Sequence, residues 1–122
     1  MSLQADHLSA LTSRHPECRT AAYADIDTGI VLLVSPDSAA RTREQIDTLC
    51  AEAAVYLGST HTPPLGVSMC TEALAASKDE MNVFIRDPKN PGEAYLFQCG
   101  TALDLAAFLD DARAEIASEA RP

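Results

Sequence analysis

Between residues 19 and 34 the apolar positions follow two different rhythms in succession. From Arg19, Ala22, Ala24 and Ile26 fall on one side and Ala21, Tyr23 and Asp25 on the other. This period of two predicts a strand with one lined face. Asp27-Thr28-Gly29 then supplies turn chemistry, since glycine takes the positive φ that closes a short hairpin and aspartate bonds back to nearby amides. Ile30 to Val34 follows as an unbroken β-branched and leucine run. Such a run predicts a strand covered on both sides, or covered once and used for contact on the other.

On either side of this hairpin the period is helical. Ser2 caps a short first helix whose stripe is Leu3, His7, Leu8 and Leu11, and His15-Pro16 stops it. Ser35-Pro36-Asp37-Ser38 reads as the start of a longer helix. Its core stripe is Ile46, Leu49, Cys50, Ala53 and Leu57, and Gly58 is placed to end it. Ala51, Ala54 and Val55 widen the small and apolar surface, which suits close approach by a second helix. After the loop Ser59 to Pro64, Val67 to Ala75 alternates with no strongly polar face except at Glu72. Met81, Val83 and Ile85 alternate with Asn82, Phe84 and Arg86, and a Pro/Asn/Gly loop leads into Ala94 to Cys99, so these three strands predict an antiparallel meander. A last helix is expected after Gly100, with Thr101 as cap, Asp104 completing a capping-box variant, and Leu105, Phe108, Leu109, Ala112 and Ile116 as its stripe. The two long helices are expected to cover one sheet face. Asp110, Asp111, Glu115 and Glu119 are read as the solvated side of the last helix, and residues 117–122 as a frayed tail.

Composition narrows the functional classes. A chain of 122 residues, 47% hydrophobic, is the size of one domain, taken here as 1–122 with residues 1–16 as its N-terminal helix. Acidic residues outnumber basic ones 18 to 9, giving a net charge of −9. That field repels phosphate backbones and anionic lipid, so neither nucleic acid binding nor membrane insertion is expected. No apolar run of spanning length and no signal-peptide pattern is present, and a cytoplasmic protein is the expectation.

Candidate chemistry is sparse. Cys18, Cys50, Cys70 and Cys99 are far apart, without a CxxC pair or a histidine at ligand spacing, and read as reduced, mostly buried thiols. Asp27-Thr28-Gly29 also matches the aspartic protease triplet, but that chemistry needs two carboxylates sharing a proton in a β-rich setting, so the turn is preferred. His7 and His15 read as solvated or hydrogen-bonded helix residues, and His61 as a loop histidine without a legible triad. Cys70 and Cys99, the candidates for a nucleophile, lie in strand-like apolar settings typical of packed thiols. No catalytic residue, metal ligand or cofactor is assigned.

The order helix, two strands, helix, three strands, helix is an α+β pattern that resembles the profilin-like arrangement of the roadblock/LC7 family. The likeness is strongest in ADIDTGIVLLVS, which is similar to that family's first hairpin, and in the alanine-rich helix after it. CRTAA stands where the family often has a glycine before the first strand. The resemblance implies a five-stranded antiparallel sheet with helices on its faces. It also implies a non-enzymatic scaffold that dimerises through the second helix and the strand after it, and regulates or docks small Ras-like GTPases or larger complexes. On this chain the implied dimer surface is Cys50, Ala51, Ala54 and Val55 with Val67, Ser68, Met69, Cys70, Thr71, Glu72, Ala73 and Leu74, facing a second copy or a related roadblock-like subunit. The alternative is a small-molecule sensor of PAS-like or GAF-like type, for whose pocket a chain with no Trp, three Phe and three Tyr is poorly supplied.

Overall fold

The computed structural model describes residues 3–35, 43–58 and 70–119. In chain order the elements are α1 (Leu3–Arg14), β1 (Cys18–Asp25), β2 (Ile30–Val34), α2 (Arg43–Leu57), β3 (Glu72–Ala76), β4 (Glu80–Arg86), β5 (Glu93–Gly100) and α3 (Leu105–Glu119). The strands form one antiparallel sheet in the order β2-β1-β5-β4-β3, so the first strand pairs with the last and β2 and β3 lie at the edges. The expected meander is β3-β4-β5.

The hairpin between β1 and β2 closes as its chemistry dictates. Gly29 takes φ +78°, and Asp25 makes local bonds, its Oδ1 accepting from the amides of Asp27 at 3.0 Å and Thr28 at 3.1 Å. The coverage of β1 differs from the expectation, and of the two alternatives for β2 the one covered on both sides is not met. β1, read as lined on one face, is buried on both because it lies inside the sheet. Its Ala21 and Tyr23 enter one core and its Ala22 and Ala24 the other. β2, the apolar run, is an edge strand with a register shift opposite Tyr23/Ala24, and Ile30, Leu32 and Val34 remain exposed. An unbroken apolar run reports the absence of polar side chains, not the presence of a cover.

The two cores lie on opposite sides of the sheet. α2 covers one face, placing Ile46, Leu49, Cys50, Ala53 and Leu57 against Ala22, Ala24, Phe84, Ala94 and Leu96. α1 and α3 cover the other, with Leu8, Leu11, Phe108, Ala112 and Ile116 against Tyr23, Val83, Ile85, Tyr95 and Phe97. The expectation that the two long helices share a face is therefore corrected. A helical stripe records that one side is buried, not which sheet face it meets.

Smaller corrections follow from caps and helix contacts. Asp104 is itself the N-cap of α3, its Oδ1 accepting from Ala107 N at 3.2 Å, while Thr101 belongs to the preceding turn. Asp111 and Glu115 are not a purely solvated side: His15 Nε2 lies 2.7 Å from Asp111 Oδ2 and His7 Nδ1 2.7 Å from Glu115 Oε2, tying α1 to α3. α3 continues to Glu119, so residues 117–119 of the expected tail are helical. Of the described part of the alternating stretch, Cys70 and Thr71 precede the strand, which begins at Glu72. The Ser35–Ser38 start lies outside the described residues after Ser35, as do His61, the paired prolines and Val67, Ser68 and Met69. Gly58 ends α2 with φ +87°, its N–H donating to Ala54 O at 3.0 Å.

Candidate protein interface

The β3 edge is built by α2 above and α3 below. In β3, Ala73 and Ala75 pack against the α2-side core, whereas Glu72 and Leu74 face the α3 side. Leu74 is 47% exposed, beside a groove of about 220 Å³ floored by Val83 and walled by Leu105 and Leu109. On the upper side α2 turns Glu52 and Tyr56 toward β4: Glu52 Oε1 accepts from Asn82 Nδ2 at 3.2 Å, and the Tyr56 ring stacks on Phe84 with centroids 6.2 Å apart. Val55 stands on the crest beside them, 78% exposed. The outermost strand is thus flanked by exposed apolar side chains on both faces. Its outward main-chain groups face away from the sheet, the geometry of an edge that accepts another strand.

The implied dimer residues divide on this frame. Cys50 is fully buried between α2 and the sheet, with burial raising its thiol pKa. Ala51 and Val55 are exposed. Ala54 is half-buried against the α2-side core. At 100° per residue it projects nearly opposite Glu52 and Tyr56, toward the β2 side of the helix. Cys70 and Thr71 are exposed just before β3, and Glu72, Ala73 and Leu74 form its first half. Tyr56, absent from that set, belongs to the flank that faces β4; its spacing of four from Glu52 was the available signal.

The end of α2 is fixed by a buried cation from β4. The Arg86 guanidinium donates from Nε to Cys70 O at 2.9 Å, from Nη2 to Leu57 O at 2.6 Å and Gly58 O at 2.8 Å, and from Nη1 to Pro91 O. It replaces the basic residue that the last turn of α2 lacks. Beside it, the Tyr23 hydroxyl donates to the buried Asp87 carboxylate, with Glu93 Oε2 at 3.0 Å. Burial and these acids push the tyrosine pKa up. Across the α3 side, Arg113 grips Glu72 with Nε at 2.8 Å and Nη2 at 2.7 Å, and these bonds hold the Glu72 carboxyl below its ordinary value.

Cys99 is buried in register with Cys18, whose thiol pKa is raised by hydrogen bonding to Cys99 and by burial. Among the described residues no cluster of three or more His, Cys, Asp or Glu is placed to hold a metal ion, and no helix is long and apolar enough to cross a membrane.

A five-stranded antiparallel sheet in this strand order, with one helix on one face and two on the other, is the roadblock/LC7 fold. The chain superposes on a roadblock/LC7 domain from Streptomyces avermitilis with a TM-score of 0.73 at 16% identity, over 93% of this chain and 92% of that one. It is similar to the gliding protein MglB from Thermus thermophilus (TM-score 0.70, 14% identity, 93% and 83% covered) and to an MglB structure with a tetrameric arrangement (0.68, 15%, 91% and 80%). No protein-family model matches the chain, and no curated protein sequence does. At these identities the likeness is one of fold.

Proposed function

We propose that this chain is a non-enzymatic interaction module that assembles through α2 and β3, with a second copy or a related roadblock-like subunit, and acts on a small Ras-like GTPase or a larger complex. The observation that carries the reading is the β3 edge, which no other strand pairs among the described residues, bordered by Val55 and Tyr56 on one face and Leu74 on the other. Two such edges joined antiparallel extend one sheet across both copies, and the flanking side chains gain about 25 cal/mol for each Å² of apolar surface removed from water. Ala51, Val55, Cys70, Thr71, Glu72, Ala73 and Leu74 remain on this surface. Cys50 and Ala54 pack in the core that holds α2 on the sheet.

The tetrameric arrangement of one MglB structure supports an assembling module. The Ras-like GTPase follows from the roadblock resemblance. Nothing in the comparisons favours the PAS-like or GAF-like sensor.

Light scattering across a dilution series, with reducing agent, tests the assembly. The expected mass is that of a dimer, falling to a monomer in Val55→Glu with Leu74→Lys while the circular dichroism is unchanged. A monomer at every concentration, or a dimer indifferent to both changes, removes this surface. For the partner, the immobilised protein is expected to retain a purified Ras-like GTPase in one nucleotide state and not the other.

A further inference from the structure

Under the N-terminal half of α2 the sheet carries a row of polar side chains in an otherwise apolar face. Thr20 on β1, Gln98 on β5 and Asn82 on β4 are register neighbours, on the same face as Ala22, Leu96 and Phe84. The row opens into a groove of about 280 Å³ lined by Gln45, Thr48 and Glu52 of α2 and by Glu80, Asn82 and Gln98 of the sheet. Among the described residues no basic side chain lines it.

The hydrogen bonding gives the groove a direction. Asn82 Nδ2 donates to Glu52 Oε1 at 3.2 Å, and Gln98 Nε2 donates to Glu80 Oε2 at 2.7 Å. Carboxylates only accept, so these contacts fix which end of each amide is nitrogen and turn the amide oxygens the other way. Asn82 is 9% exposed, and its Oδ1 is buried with no hydrogen-bond partner among the described residues. The Thr20 hydroxyl, the other end of the row, is buried and likewise without a partner. Buried polar atoms are nearly always satisfied in folded proteins, so an orphan acceptor on a side chain that lines the groove marks a place for a donor.

We propose that this groove binds an organic cation rich in N–H groups, an alkylammonium or a guanidinium. Its N–H groups would satisfy Asn82 Oδ1 while its charge meets Glu52 and Glu80. A metal ion suits the groove less well. A hard cation wants a closed shell of six or more oxygens at about 2.0–2.6 Å, whereas this groove is open, several times larger, and has both carboxylates already accepting amide N–H bonds. The cation has two sources, a free polyamine or the Lys or Arg side chain of a partner. The proposal does not depend on the β3 edge as an interface.

The test is a titration of the full-length, 15N-labelled protein, read at the side-chain amide signals of Asn82 and Gln98. The probes are putrescine, the capped peptide acetyl-Gly-Arg-Gly-amide and, separately, calcium chloride, each to about 10 mM. Saturable shifts with an organic probe are expected. Tighter binding of putrescine assigns the site to a free polyamine, and tighter binding of the peptide to a partner's basic side chain. Glu80→Gln and Glu52→Gln, which keep side-chain size, should each weaken binding about tenfold while the β1 and β5 backbone signals stay in place. No saturable shift with either organic probe, binding by both variants as tight as by the wild type, or saturation by calcium alone overturns the proposal.

Discussion

Arg86 is 6% exposed, and the partners of its guanidinium are main-chain carbonyls drawn from three parts of the chain. A neutral side chain of similar length leaves the carbonyls of Leu57, Gly58, Cys70 and Pro91 without that donor. At roughly 1–3 kcal/mol for each buried group left unsatisfied, partly relieved by relaxation, Arg86→Met is expected to cost about 3–5 kcal/mol in urea unfolding. Lysine has three donors on one nitrogen and no planar fork, so Arg86→Lys is expected to recover less than half of that loss. A loss below about 1 kcal/mol for the methionine variant means the carbonyls find other donors. The thiols divide as clearly. Cys70 is exposed, whereas Cys18, Cys50 and Cys99 are buried, with Cys18 and Cys50 pushed up from the ordinary thiol range. An alkylating reagent at neutral pH is expected to modify Cys70 alone in the native protein and all four after denaturation, counted by intact mass. The sequence offered little of this: Arg86 shared a parity with Asn82 and Phe84, but its carbonyl partners stand up to 29 residues away and carry no side-chain signature.

At the scale of elements, α2 and α3 were legible because each has one stripe at helical spacing, and the stripes assigned from spacing are the residues that pack. The sheet faces they cover were not, since that depends on how the chain crosses the sheet edge. The proposed interface was half legible. The exposed Val55 and Leu74 stood in the sequence, but the flank carrying Tyr56 became visible only once Glu52 and Asn82 fixed the rotation of α2. The acceptor groove was invisible, because its residues come from α2, β4 and β5.

One inter-element tie has a pH signature. Arg113 on α3 holds the Glu72 carboxyl below its ordinary 4.5, so the tie contributes above that value and is lost as pH falls through the lowered one. Both side chains are substantially exposed, and the effect is small. Glu72→Gln is expected to melt about one or two degrees below wild type at pH 7 and to converge on it as acid protonates the carboxyl. A difference that persists undiminished in acid rules out the ionised pair as its cause.

For the whole molecule, charge opposes the proposed assembly. Each copy carries −9, and copies in contact repel most where screening is weakest. The Debye length falls from about 10 Å at 0.1 M salt to about 3 Å at 1 M, so the dimer is expected to tighten several-fold as sodium chloride rises over that range. Weakening with salt instead marks an interface held by ion pairs and not by Val55, Tyr56 and Leu74.

The central position of the β1·β5 pair has a consequence in time. Tyr23 and Glu93, which meet across it, are 70 residues apart in the chain. On a ribosome adding about 5–20 residues per second, β1 and β2 emerge several seconds before the strand that completes them. Through that interval the nascent hairpin presents Ile30 to Val34 and the vacant flank of β1 together, the two most strand-forming surfaces of the chain. The interior of the sheet is therefore the last part to be sealed, and the newborn protein is most exposed to misassembly where the finished one is best protected.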